Sequence, residues 1–93
     1  MLVITVSPIT YGIDFSHPVD DKGRRTTHCS IYQDEAGEWV DLATDSTTCS
    51  RKDSFCKSIG RKVALQRTLL ANRDLFGKET RRRIWQEYWT LCR

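Results

Sequence analysis

The hydrophobic period of this 93-residue chain changes near its middle, and that change constrains its fold more than any other feature. Ile9, Tyr11, Ile13 and Phe15 alternate with Thr10, Gly12, Asp14 and Ser16. A period of two gives an extended segment one apolar face and one wet face. Thr26 to Gln33 and Glu38 to Thr44 are rich in β-branched and aromatic residues and read as two further strands. Between them Asp34-Glu-Ala-Gly37 is short and carries a glycine, which predicts a hairpin. An edge strand is expected at Leu2 to Val6. The polar stretch from His17 to Arg25, with Asp-Lys-Gly at its centre, has the turn chemistry to join two antiparallel neighbours.

Past residue 50 the spacing becomes helical. Ser50-Arg-Lys-Asp53 has the spacing of a capping box and predicts a helix opening near residue 51. At about 100° per residue, Phe55, Cys56, Ile59, Val63 and Leu70, extended by Leu69, share an arc expected to be buried, with Lys57 and Arg61 opposite. Asn72-Arg-Asp-Leu-Phe-Gly77 breaks the pattern. A second helix is expected from about Lys78, with Ile84, Trp85, Tyr88, Trp89, Leu91 and Cys92 on a broad apolar face and Arg82, Arg83, Gln86 and Glu87 outside it. Strands followed by helices predict an α+β fold in one domain, residues 1–93. Its expected architecture is an antiparallel sheet of three to four strands, then two helices packed on one face, with Ile59, Val63, Ile84, Trp85 and Tyr88 between the layers.

Charge divides along the same line. Residues 1–50 hold three basic and eight acidic side chains, a net −5; residues 51–93 hold twelve and four, a net +8. The strand-rich half, 1–46, is therefore acidic and the helical half, 50–93, basic. Such a field steers encounters and selects partners. Lys57, Arg61, Arg67, Arg73, Lys78, Arg82 and Arg83 are expected to form a positive surface on the helix pair, suited to phosphate or to acidic protein. Trp39 alternates away from Val40 and Leu42, which places it on the open face or edge of the sheet. Between Glu38 and Asp41 it reads as an anchor for a protein contact. Trp85, Tyr88 and Trp89 fall on the apolar arc, leaving no exposed aromatic to stack on bases, so a protein partner ranks above nucleic acid.

The catalytic and metal readings are weaker than their structural counterparts. His17, Asp20 and Asp21 crowd one loop as a metal-dependent nuclease would require, but such a site also needs carboxylates from rigid strands, and turn chemistry explains the same residues. Zinc at Cys29, Cys49 and Cys56 is disfavoured: six residues separate Cys49 from Cys56, against roughly two to four in zinc knuckles. His28 and Cys29, adjacent on a strand, point to opposite faces. The cysteines read as reduced thiols, some of them buried. No catalytic residue, metal or cofactor is expected. The apolar run at residues 1–6 is too short to span a membrane and has no basic region before it, so a soluble cytosolic protein is expected.

Asp53-Ser-Phe-Cys-Lys57, Gly60-Arg-Lys-Val-Ala-Leu65, Phe76-Gly-Lys-Glu79 and Arg81-Arg-Arg-Ile-Trp85 with Tyr88 together resemble a pattern seen in small accessory proteins of tailed, T7-like phages. The resemblance covers residues 53–89 and leaves the strands unmatched. It implies a viral protein made early in infection and acting in the cytoplasm of the host cell. There it would bind, and so inhibit or redirect, a host or defence protein complex in the manner of anti-CRISPR-like anti-defence proteins, without enzymatic activity. It carries no site residues with it. The candidate binding residues, Trp39, Lys57, Arg61, Arg67, Arg82 and Arg83, come from the charge and alternation alone. The alternative those charges leave open is a sequence-nonspecific nucleic-acid-binding protein that uses the basic helix pair.

Overall fold

The computed structural model describes residues 1–49 and 56–91. Alternation in the first half builds four strands, β1 (Leu2–Val6), β2 (Ile9–Ser16), β3 (Thr26–Glu35) and β4 (Glu38–Thr48), and the second half builds two helices, α1 (Lys57–Ala71) and α2 (Lys78–Leu91). The strands form one antiparallel sheet in sequence order. Both helices pack on one face of it, α1 across β3 and β4 and α2 against β1. This is the α+β architecture expected from the sequence, with a fourth strand at the β1 edge.

The turn residues set the register. Ala36 and Gly37 link β3 to β4 with φ of 54° and 88°, both positive, as a two-residue hairpin turn requires. The Gly37 N–H donates to Asp34 Oδ1 at 3.0 Å and closes that turn. Further along, Ile31 pairs with Ala43 but Tyr32 pairs with Asp41, so Leu42 is an extra residue in a β-bulge. The bulge lets both Leu42 and Ala43 pack against the core, and it shifts the phase of the strand beyond them. Trp39, opposite Asp34, is thereby sent to the face away from the helices.

Ile4, Tyr11, Ile13, Cys29 and Ile31 from the sheet meet Ala64, Leu65 and Leu69 of α1 and Ile84 and Tyr88 of α2 in a single core. Phe76, from the segment between the helices, is wholly buried and meets Tyr11 edge-on with ring centroids 5.8 Å apart. Phe15 and Trp85 make the same kind of contact with Tyr88, at 6.2 and 5.6 Å.

The face of α1 differs from the expected one. Its buried residues are Ala64, Leu65, Thr68 and Leu69, whereas Ile59 is 59% and Leu70 45% exposed, Cys56 is exposed and Val63 is only partly covered. Leu69 is buried as expected, but it shares with Ala64, Leu65 and Thr68 a stripe on nearly the opposite side of the helix from Ile59 and Leu70. Small side chains explain the choice. Ala64 and Thr68 stand one turn apart and let the helix backbone approach the sheet, and the Thr68 hydroxyl donates to the Ala64 carbonyl oxygen at 2.7 Å, so its burial leaves no unmet donor. Arg61 continues that stripe and is half-buried. The helix begins at Lys57, after Cys56 with extended φ and ψ of −129° and 116°. The expected Ser50–Asp53 cap, Phe55 and Cys92 lie outside the described residues. On α2, Ile84 and Tyr88 are buried as expected and Trp85 is half-buried, but Trp89 is 46% exposed and Leu91 is exposed as well. No helix among the described residues is long and apolar enough to cross a membrane.

Candidate functional site

The β3–β4 hairpin gathers five acidic residues, Asp34, Glu35, Glu38, Asp41 and Asp45, with no lysine or arginine between residues 26 and 48. Trp39 sits among them, 43% exposed. Its ring is nevertheless seated. The space above Gly12 of β2 is filled by the indole and by Met1: a Cβ placed on Gly12 would stand 3.1 Å from Trp39 Cζ3 and 2.6 Å from Met1 Sδ. Val3, paired with Gly12 and exposed, borders the same patch. The open face of the sheet thus carries a partly exposed tryptophan in an acidic frame, with its Cζ3–Cη2 edge over Gly12.

The five basic candidates are divided between the helices, Lys57, Arg61 and Arg67 on α1 and Arg82 and Arg83 on α2. Lys57 is exposed in the first turn of α1, and Arg61, one turn later, turns inward beside it. Arg67 is exposed, with Nη1 donating to the Ser46 carbonyl oxygen of β4 at 3.4 Å, a tie between helix and sheet. Arg82 and Arg83 are exposed on α2, where Arg82 stands 4.0 Å from Glu79. At that distance and exposure the pair adds little stability. Arg73 and Arg81, in contrast, donate to the main-chain carbonyls of Leu70 and Phe76. Arg73 and Arg81 thus cap local backbone, whereas Arg67 bridges helix and sheet.

The loop after β2 uses its carboxylate structurally. Asp20 Oδ1 accepts from the Lys22 and Arg24 amides at 3.0 and 2.8 Å, and Oδ2 faces Arg24 Nε at 3.0 Å. Those hydrogen bonds, the Arg24 amide first, hold its pKa below the usual carboxylate range. His17 Nδ1 is 3.0 Å from Thr27 Oγ1 under the start of α1. Burial, followed by the charges of Lys57, Arg61 and Arg25, pushes its pKa down. Among the described residues no three His, Cys, Asp or Glu side chains stand close enough to hold a metal ion. Cys29 is buried in the core and Cys56 is exposed where α1 begins.

Two features escaped the sequence reading. The inward turn of Arg61 had a signal in the small-residue spacing of Ala64 and Thr68, which outranks the larger but exposed Ile59 and Leu70. The exposure of Trp89 had none, since it shares the apolar arc with Ile84 and Tyr88; it stacks on Trp85 with centroids 6.1 Å apart, and Lys62 Nζ lies 4.9 Å from its ring. No protein-family model, curated protein or solved structure matches the chain.

Proposed function

We infer that the protein is a non-enzymatic binding domain that engages a basic surface of another protein through the β3–β4 hairpin, with Trp39 as its anchor. The observation that carries this reading is the seated, solvent-facing Trp39 in a frame of carboxylates. A ring already held against backbone loses little freedom on binding, and tryptophan in a pocket surrounded by polar residues is the common form of an interface hot spot. The acidic frame favours a cationic partner and steers its approach, while the basic helices on the other face keep like-charged surfaces away. The resemblance of residues 53–89 to phage accessory proteins adds the context: a viral inhibitor that binds a host or defence complex in the host cytoplasm and blocks or redirects it.

A second reading draws on Trp89. An exposed tryptophan with Lys62 over its ring, on a helix that also exposes Arg82 and Arg83, combines the aromatic and cationic groups that bind single-stranded nucleic acid without sequence preference. The two readings place the contact on opposite faces. Immobilised protein offered a bacterial host lysate, with and without nuclease, separates them. Capture that survives nuclease and is lost in Trp39→Ala supports the first. Capture that disappears with nuclease, or that Trp39→Ala leaves intact, overturns it.

A further inference from the structure

Beside the first turn of α1 the sheet and helix leave an open cleft of about 310 Å³, lined by Met1, Leu2, Asp14, Phe15, His17, Lys57 and Arg61. It lies away from the hairpin tip, although Met1, one of its lining residues, also borders the Trp39 patch. Its walls differ in chemistry. Leu2 and Phe15 offer apolar surface; Lys57 and Arg61, one helical turn apart and therefore on one side of α1, offer two full positive charges, with the His17 imidazole beneath them. Among the described residues Asp14 is the only carboxylate in the lining. Arg61 Nε is buried and has no hydrogen-bond partner among the described residues. A buried charged donor without an acceptor is unfavourable, and native structures rarely keep one unless something else supplies the acceptor.

We propose that this cleft binds a small organic phosphate, a phosphate monoester of about nucleoside monophosphate size, with the phosphoryl group against Lys57 and Arg61. A dianion matches two cations, and its oxygens provide an acceptor for the Arg61 Nε, which has none among the described residues. The organic part lies on Leu2 and Phe15. Asp14 repels an anion but accepts from hydroxyl or amino groups, so it selects a ligand whose donors lie away from its phosphate. The volume is at the small end of ligand pockets and matches a mononucleotide better than a dinucleotide or an extended chain.

His17 reports on occupancy. It is faced by Thr27 from β3, by Arg25 from its own loop and by Lys57 and Arg61 from α1, and these three cations with burial disfavour its protonated form. A phosphate seated between Lys57 and Arg61 offsets their charge, so binding raises the His17 pKa. The test is an NMR titration of the His17 ring with pH, in the presence of adenosine 5′-monophosphate, inorganic phosphate, glycine or chloride at equal ionic strength. The expected result is an upward shift with the nucleotide at millimolar concentration and at least tenfold weaker binding of inorganic phosphate. Arg61→Gln and, separately, Lys57→Gln should weaken nucleotide binding at least tenfold; Lys57 is exposed, so its variant keeps the fold if Arg61→Gln does not. An unmoved His17, equal affinity for nucleotide and inorganic phosphate, tighter binding of glycine, or wild-type affinity in Lys57→Gln overturns the proposal.

Discussion

The indole of Trp39, carried by the edge strand β4, reaches past β3 to lie over the backbone of Gly12 on β2. The bulge at Leu42 makes this possible by turning Trp39 to the open face, and the missing side chain at Gly12 makes room for it. Gly12→Ala tests the relationship. The new Cβ would meet Met1 Sδ at 2.6 Å, a flexible end that moves aside, and the indole at 3.1 and 3.2 Å, a rigid ring that must slide by a few tenths of an ångström. The entropic gain of replacing a strand glycine, about 0.4–1 kcal/mol, offsets that strain. The expected outcome is a melting temperature within a few degrees of the parent and a measurable change in acrylamide quenching of Trp39, read in a Trp85→Phe, Trp89→Phe background.

Burial makes a sharp contrast between two apolar residues of the helical half. Phe76 is fully buried against Tyr11, and Phe76→Ala should cost about 3–5 kcal/mol, a large part of what a domain of this size has. Ile59 projects to solvent, and Ile59→Ala should stay within about 0.5 kcal/mol. Urea melts of the two variants check both values; a loss above about 2 kcal/mol for Ile59→Ala would restore the face that hydrophobicity alone assigns to α1.

The strands were legible because their signal is redundant. The alternation of Ile9, Tyr11, Ile13 and Phe15, the Asp34–Gly37 turn and the β-branched residues of β3 all specify the same register. Helix α2 was legible through Ile84 and Tyr88, four apart. Helix α1 was not. Its apolar residues fall on two stripes, Ile59, Val63 and Leu70 on one and Leu65 and Leu69 on the other, and the stripe that packs on the sheet is the one that also holds the small Ala64 and Thr68, which periodicity weighs lightly. Trp39 was visible as an alternation outlier, but its seat on Gly12 depends on a bulge that no local residue announces. The cleft at Lys57 and Arg61 was invisible for the same reason as the face of α1: a charge placed opposite the wrong stripe reads as solvated.

Ala36 holds a φ of 54°, a conformation that costs an alanine roughly 1 kcal/mol relative to asparagine or glycine. Ala36→Asn keeps the side chain short and fits the two-residue turn, where asparagine followed by glycine is the preferred pair. The variant should raise stability by about 0.5–1 kcal/mol in a denaturant melt, with binding through Trp39 unchanged. A destabilised Ala36→Asn protein would place the turn in another conformation.

Two cysteines differ enough to be told apart chemically. Burial pushes the Cys29 thiol up to about 11, while the hydrogen bond with Ser58, aided by the Ile59 and Ser58 amides, holds Cys56 below the ordinary thiol value. The thiolate is the reactive form, so alkylation of Cys56 should begin at a lower pH than that of an unstructured thiol. Cys29 should remain unmodified until the fold opens. Iodoacetamide labelling across pH 6–9 (roughly the range spanned by ordinary thiol titration), followed by peptide mass spectrometry, gives the order. Equal rates at the two sites in native protein would contradict the core position of Cys29.

The two binding modes predict different responses to salt and to truncation. For nucleic acid on α2, reversing Arg82 and Arg83 to Glu removes two phosphate contacts and lowers the log-log salt slope by about 0.9 for each, while Trp89→Ala costs about 1–3 kcal/mol for a lost base stack. Both arginines are exposed, so the fold tolerates the change. For a basic protein on the β3–β4 hairpin, Trp39→Ala costs about 2 kcal/mol or more, and neutralising Glu38 or Asp41 acts mainly on the association rate. The second pattern is expected, because Trp39 has a frame of one sign around it whereas Arg82 faces Glu79 at 4.0 Å and Glu87 lies on the same helix. Titration of the purified protein against random-sequence DNA and RNA near physiological salt decides the matter: a dissociation constant below about 10⁻⁶ M exceeds ordinary nonspecific affinity and would move the functional surface to α2.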